Sequence, residues 1–197
     1  MSRIIVDSIR NSSASSDGIT LASDGSVTIP GNATCSGTAS GFGGGKVLQV
    51  VHAFKNDSFS DTSGSYAAMT GMSVTITASS TSNKLLFRCD LCYGTNSLQV
   101  FRVRLYDGTN EITASRSTSS STDNNNGWLA DYNKFNGGAS DLITNISGSY
   151  LHTPTDTNSH TYNLYGYAQG HGIYLNRRGY GTDYGGTSSF SVMEIAA

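Results

Sequence analysis

The chain has 197 residues, 12 Lys plus Arg, 14 Asp plus Glu and a formal net charge of −2. Ser, Thr, Gly and Asn fill 90 positions, whereas Glu occurs twice (Glu111 and Glu194) and Lys four times. Helix formers this scarce argue against a helical bundle, a coiled coil or a doubly wound α/β enzyme, and a near-neutral charge without a basic run argues against a nucleic-acid surface.

Residues 1–45 carry short apolar pieces: Ile4, Ile5, Val6 and Ile9, then Ile19 and Leu21, then Val27 and Ile29. Turn pairs separate them at Asp17-Gly18, Asp24-Gly25 and Pro30-Gly31. GITLASDGSVTI, residues 18–29, reads as an Asp-Gly hairpin between two alternating strands. A hairpin alone is marginal in water. This piece is therefore expected to form a stalk in which identical copies wrap together Ile4, Val6, Ile19, Leu21, Val27 and Ile29. Gly41 to Gly45 reads as a hinge into a second domain, residues 46–197.

From Lys46 the alternation is richer. KVLQVVHAF and GMSVTITA read as strands, the second with Met72, Val74 and Ile76 inward. NKLLFRCDLCYG puts Leu85, Phe87, Cys89, Leu91 and Tyr93 on one face. SLQVFRVRLYDG separates Phe101, Val103 and Leu105 from Arg102 and Arg104. Further strands are predicted over 111–115, 127–132, 141–146, 160–168, 172–176 and 188–195. Roughly ten short strands with turns between them predict an antiparallel β-sandwich, and the tract 117–126 a polar loop. In HTYNLYGYAQ, Tyr162 and Leu164 share one face, and Tyr165 and Tyr167 the other. Aromatics on both faces make Tyr162, Tyr165 and Tyr167 candidates for a subunit interface, the alternative being ordinary exposed strand residues.

Catalytic and cofactor chemistry finds little support. Cys89 and Cys92 form a C-x-x-C, but positions i and i+3 of a strand face opposite sides, so they read as small buried hydrophobes. Cys35 is a candidate for contact between copies. His52, His152, His160 and His171 fall in no metal or catalytic spacing, and His52 reads as a packing residue within its strand. Asp123-Asn-Asn-Asn-Gly127 lacks the carboxylates of a calcium loop. Glu194, flanked by Met193 and Ile195, reads as a salt-bridge partner for Arg102 or Arg104 rather than an acid catalyst. No enzyme activity, metal or cofactor is expected. The segment 171–186, HGIYLNRRGYGTDYGG, sets Tyr174, Arg177, Arg178, Tyr180, Asp183 and Tyr184 among glycines. Tyrosine faces stack on sugar rings, and Arg and Asp fork onto hydroxyls, so these six are receptor-contact candidates. The competing reading is that Asn176 and Arg177 hold the loop through backbone hydrogen bonds.

The opening IIVDSIRNSS, with GITLASDGSVTIPGNATCSGTASG, is similar to the N-termini of small virion fibre proteins of marine tailed phages. The remainder, most specifically SVTITASSTSNKLL and SFSVMEIA, resembles their globular C-terminal domain, a jelly roll like that of the complement globular head and tumour-necrosis-factor family. The resemblance implies a homotrimeric fibre or spike whose N-terminus docks on other virion proteins, of tail or capsid. Its head would meet a host cell-surface glycan or protein. It also implies localisation in the virion after synthesis in the host cytoplasm; the Ser/Asn-rich MSRIIVDSIRNSS predicts no signal peptide, and the lack of any window near 18 consecutive apolar residues predicts no membrane insertion. Forty-five residues at roughly 3.3 Å each span at most about 150 Å, so a stubby spike fits better than a long fibre. A capsid decoration protein and a non-viral lectin-like module are the alternatives.

Overall fold

The computed structural model describes residues 6–10, 12–16, 18–29, 46–96, 100–119, 126–132, 143–181 and 185–197. The chain divides into two compact units, Met1–Gly43 and Gly44–Ala197. The first is a three-stranded antiparallel meander of β1 (Ser8–Ile9), β2 (Ile19–Leu21) and β3 (Val27–Thr28). The Asp-Gly hairpin forms where predicted. Asp24 accepts the Ser26 amide at 2.8 Å, and Gly25 takes φ +86°, a left-handed conformation that suits glycine. Ile9 pairs with Ile19 and Leu21 with Val27, so one face is wholly apolar. Ser8, Thr20 and Thr28 make up the other.

The second unit contains β4 (Val47–Lys55), β5 (Phe59–Asp61), β6 (Ala67–Thr77), β7 (Lys84–Thr95), β8 (Val100–Asp107) and β9 (Asn110–Glu111). A 3-10 turn at Thr113–Ser115 follows. Then come β10 (Leu129–Tyr132), β11 (Thr144–His152), β12 (Ser159–Ala168), β13 (Ile173–Leu175) and β14 (Ser188–Ile195). One sheet runs β4-β14-β7-β11. Along the β14 edge of β7, β13 takes over at Tyr93 to Thr95 and carries β5 outside it. The second sheet runs β6-β12-β8-β10, with β9 on β8. The first and last long strands lie together in one sheet, and β6 and β12 lie together in the other, which is the paired Greek-key order of a jelly roll. The fold is therefore all-β, as the alternation predicts.

The core is what the strand periodicity requires. Leu85, Phe87, Cys89, Leu91 and Tyr93 of β7 are all at most 1% exposed and meet Met72, Val74, Ile76, Phe101, Val103 and Leu105. Phe87 lies at the centre, edge-on to Tyr162 at 4.7 Å and stacked with Phe190 at 6.0 Å. Cys89 faces this core, and burial pushes its thiol up to about 12. Cys92 lies on the opposite side beneath Gly186, where an added Cβ would fall 2.3 Å from its sulfur. Two local expectations need correction. The predicted strand over 111–115 is a two-residue β9 followed by the 3-10 turn, and β5 was not foreseen because three residues carry too little alternation.

Candidate recognition and assembly surfaces

Register fixes two poles of the sandwich. Val47 and Lys84 both pair with Ile195 at one pole, next to Lys46. Lys55 pairs with Ser188, and Ile173 with Thr95, at the other. The segment 171–186 belongs to the second pole. Asn176 is its hub, 4% exposed with φ +58°. Its side-chain amide donates to the carbonyls of Lys55 and Asp57, each at 2.9 Å, and its Oδ1 accepts from Ser188 Oγ at 2.6 Å. Its own amide reaches the Cys92 carbonyl at 2.8 Å. Arg177 Nη1 donates to the carbonyls of Arg178 and Gly181, while its guanidinium lies 4.2 Å over the Tyr174 ring. The sequence reading that Asn176 and Arg177 hold this loop is therefore correct.

Of the six receptor-contact candidates, Tyr174 is corrected to a buried position. It sits on β13 between β7 and β5 and is capped by Arg177, which leaves it 8% exposed. Asp183 and Tyr184 lie outside the described residues. Arg178 is half-buried, and Tyr180 stands 72% exposed.

The tyrosines of β12 do not form one surface. Tyr162 is corrected from interface to core: it is 2% exposed and packs on Phe87, because it shares the inward face with Leu164. Tyr167 points outward but is covered by its own chain, stacked on Tyr66 at 4.8 Å with Arg102 at 5.5 Å. Arg104 lies 4.0 Å over Tyr66, and the Asn126 carbonyl accepts from both. Tyr165 is half-buried against Tyr106 at 3.9 Å.

The outer face of the β4-β14-β7-β11 sheet carries what the sequence reading missed. Val50 pairs with Met193, Met193 with Leu86, and Leu86 with Leu151, which draws an unbroken apolar row across four strands. Val50 is 58% and Leu151 53% exposed. Each strand supplies a single member, so no stretch of sequence reveals the row. His52 is corrected to an exposed position on this face. In the first unit, Val6, Leu21, Val27 and Ile29 are exposed and Ile19 is half-buried, with Ile19, Leu21 and Val27 on the apolar face; Ile4 and Cys35 lie outside the described residues.

Polar clusters close the Lys46 pole. Glu194 is buried and accepts from Gln49, Asn83, and the amide and hydroxyl of Ser79, at 2.5–2.7 Å. It pairs with neither Arg102 nor Arg104; Arg104 instead bridges Glu111 at 3.1 Å. Burial pushes the Glu194 carboxyl up, but these donors outweigh it and hold the group at about 2.

Nearby, His160 Nδ1 meets Asp107 at 2.6 Å and Nε2 meets Asp156 at 2.9 Å. The bond to Asp156, against burial and with help from Asp107, raises the imidazole above its ordinary value. Burial lowers that of His152. The stability this clamp supplies is thus present below the ordinary imidazole range and is lost as pH rises through the raised value. NMR titration is expected to find His160 titrating above His152, and His160→Gln to remove that alkaline loss from the denaturation midpoint.

No protein-family model matches the sequence, and no curated protein matches it. Among solved structures, the chain is similar to the tripod from the baseplate of bacteriophage Tuc2009. The match has 13% identity and a TM-score of 0.32, and it covers 90% of this chain and 84% of that one. It is also similar to infectious bursal disease virus, Gx strain, at 11% identity and a TM-score of 0.33, covering 77% of this chain and 38% of that one.

Proposed function

We propose that the chain is a structural protein of a tailed-phage virion, a short homotrimeric fibre or spike. Its N-terminal unit docks on the particle, and its jelly-roll head binds a host-surface glycan. The observation that carries the assembly part is the exposed apolar row Val50–Met193–Leu86–Leu151, together with the exposure of Leu21 and Val27 on the apolar face of the N-terminal sheet among the described residues. Contiguous exposed apolar surface of this kind marks an interaction site, and covering it with other copies removes it from water. The trimeric number and the virion setting rest on the sequence resemblance. Binding rather than catalysis is the proposed role. The pole opposite Lys46 suits recognition, since loops on a rigid sandwich carry the exposed Tyr180 and the adjacent Arg178.

Sedimentation of the purified chain is expected to give a trimer at micromolar concentration; a monomer would falsify the assembly reading. Tyr180→Ala is expected to weaken adsorption to host cells about tenfold without changing the trimer. Unchanged adsorption would remove this loop from the receptor site. Immunogold labelling on the tail supports the fibre, whereas labelling over the capsid replaces it with a decoration protein.

A further inference from the structure

The outer face of the β4-β14-β7-β11 sheet is ordered in levels, because directly paired antiparallel residues share one face and one height. Val50, Met193, Leu86 and Leu151 form one level. His52, Ser191, Arg88 and Ser149 form the next, and Phe54, Ser189, Asp90 and Ser147 the third. At the upper two levels the sheet's edges have opposite shapes. β4 presents Phe54, 61% exposed, the most exposed of this unit's aromatics after Tyr180 among the described residues. β11 presents a hollow of about 190 Å³ lined by Arg88, Ser147, Gly148 and Ser149.

We propose that Phe54 of one copy seats in the Arg88–Ser147–Ser149 hollow of the next, joining β4 of one head to β11 of its neighbour. The proposal rests on the self-assembly reading above and specifies how the copies meet. Rotation about an axis along the strands keeps every group at its own height. Knob and hollow can therefore meet in a cyclic assembly only if they share a level, and Phe54 and Ser147 do, to within the sheet's twist. The contact is head-to-tail, joining unlike surfaces, and such contacts form a ring when the rotation from copy to copy closes. The short side chains of Ser147 and Ser149 leave the hollow open, and Arg88 can lay its guanidinium on an incoming ring. Arg88 is already paired with Asp90 at 3.1 Å, so seating the ring buries no unpaired charge. The ends of the apolar row one level away from Arg88, Val50 of one copy and Leu151 of the next, are brought together in the same contact.

The test uses the full chain carrying Cys35→Ser, with Phe54→Cys and Ser147→Cys installed together and singly, at a protein concentration where sedimentation shows the double variant still assembled. A short bismaleimide is added, and the products are mapped by peptide mass spectrometry. Cys89 and Cys92 are buried, which keeps the background low. The expected result is an intermolecular link between positions 54 and 147 in the double variant, with neither single variant linking. In a separate sample, Phe54→Ser is expected to weaken assembly about tenfold or more by sedimentation, with an unchanged far-UV CD spectrum. An oligomer that gives 54–54 links, or none, overturns this geometry and leaves the assembly reading standing. A monomeric parent protein overturns both.

Discussion

Replacing Glu194 with alanine is expected to lower the folding free energy by about 3 kcal/mol. The carboxylate is the shared acceptor for Gln49, Ser79 and Asn83, and Asn83 Oδ1 in turn accepts the Ala197 amide at 3.1 Å. Removing it takes the acceptor from four donor groups at once, of which the Asn83 amide is buried. Its folded value of about 2, against an ordinary 4.5, sets the pH signature. The stabilisation is complete above pH 4.5 and drains away as the pH falls towards 2. Urea denaturation as a function of pH separates the parts. Glu194→Gln keeps the volume and one acceptor, so it is expected to lose less at neutral pH and to flatten the acid limb. An acid limb unchanged in Glu194→Gln would assign the acid loss to other carboxylates.

The second large effect lies at the opposite pole. Asn176→Ala is expected to destabilise the head by about 3 kcal/mol. It deletes both bonds to the carbonyls of Lys55 and Asp57, takes away the acceptor of the Ser188 hydroxyl proton, and places alanine at φ +58°. Asn176→Gly relieves the backbone term alone and is expected to lose less than alanine. Asn176→Asp is expected to lose more, because a carboxylate oxygen would then face two carbonyl oxygens. Chemical denaturation of the three variants checks the order alanine between glycine and aspartate. A different order would place the cost elsewhere than in this hydrogen-bond hub.

Much of this architecture is legible in the sequence, for a definable reason. A strand with one buried face writes its orientation into every second residue. Leu85 to Tyr93, Phe101 to Leu105 and Ser188–Ile195 could therefore be read directly. The same rule fails where burial is decided by a distant segment. Tyr167 and Arg104 sit on the outward face by parity, yet Tyr66 and Asn126, far away in sequence, cover them. Tyr162 was legible as Leu164's neighbour on one face, but which face was inward depended on the pairing of β12 between β6 and β8. The apolar row is invisible for a related reason. It exists only across strands, and each member alone looks like a single exposed hydrophobe of the kind every protein surface carries. The segment 171–186 is legible as a loop at the end of a strand, but its glycines and arginines give no indication that Arg177 covers Tyr174 and that Tyr180 is the side chain left outside.

The jelly-roll order places β4, the first strand of the head, beside β14, its last, and the Ala196 amide bonds to the Lys46 carbonyl at 2.9 Å. One pole thus joins the ends of the head's first and last strands around Glu194, while the turns joining β4 to β5, β12 to β13 and β13 to β14 gather at the other around Asn176. Such a division separates inheritance from novelty. Outside the Asn176 hub, the stretch of the far-pole loop around Tyr180 can lengthen, shorten or be exchanged without touching the residues that lock the fold. A lineage of this head could therefore change what it grips while leaving its anchorage unaltered.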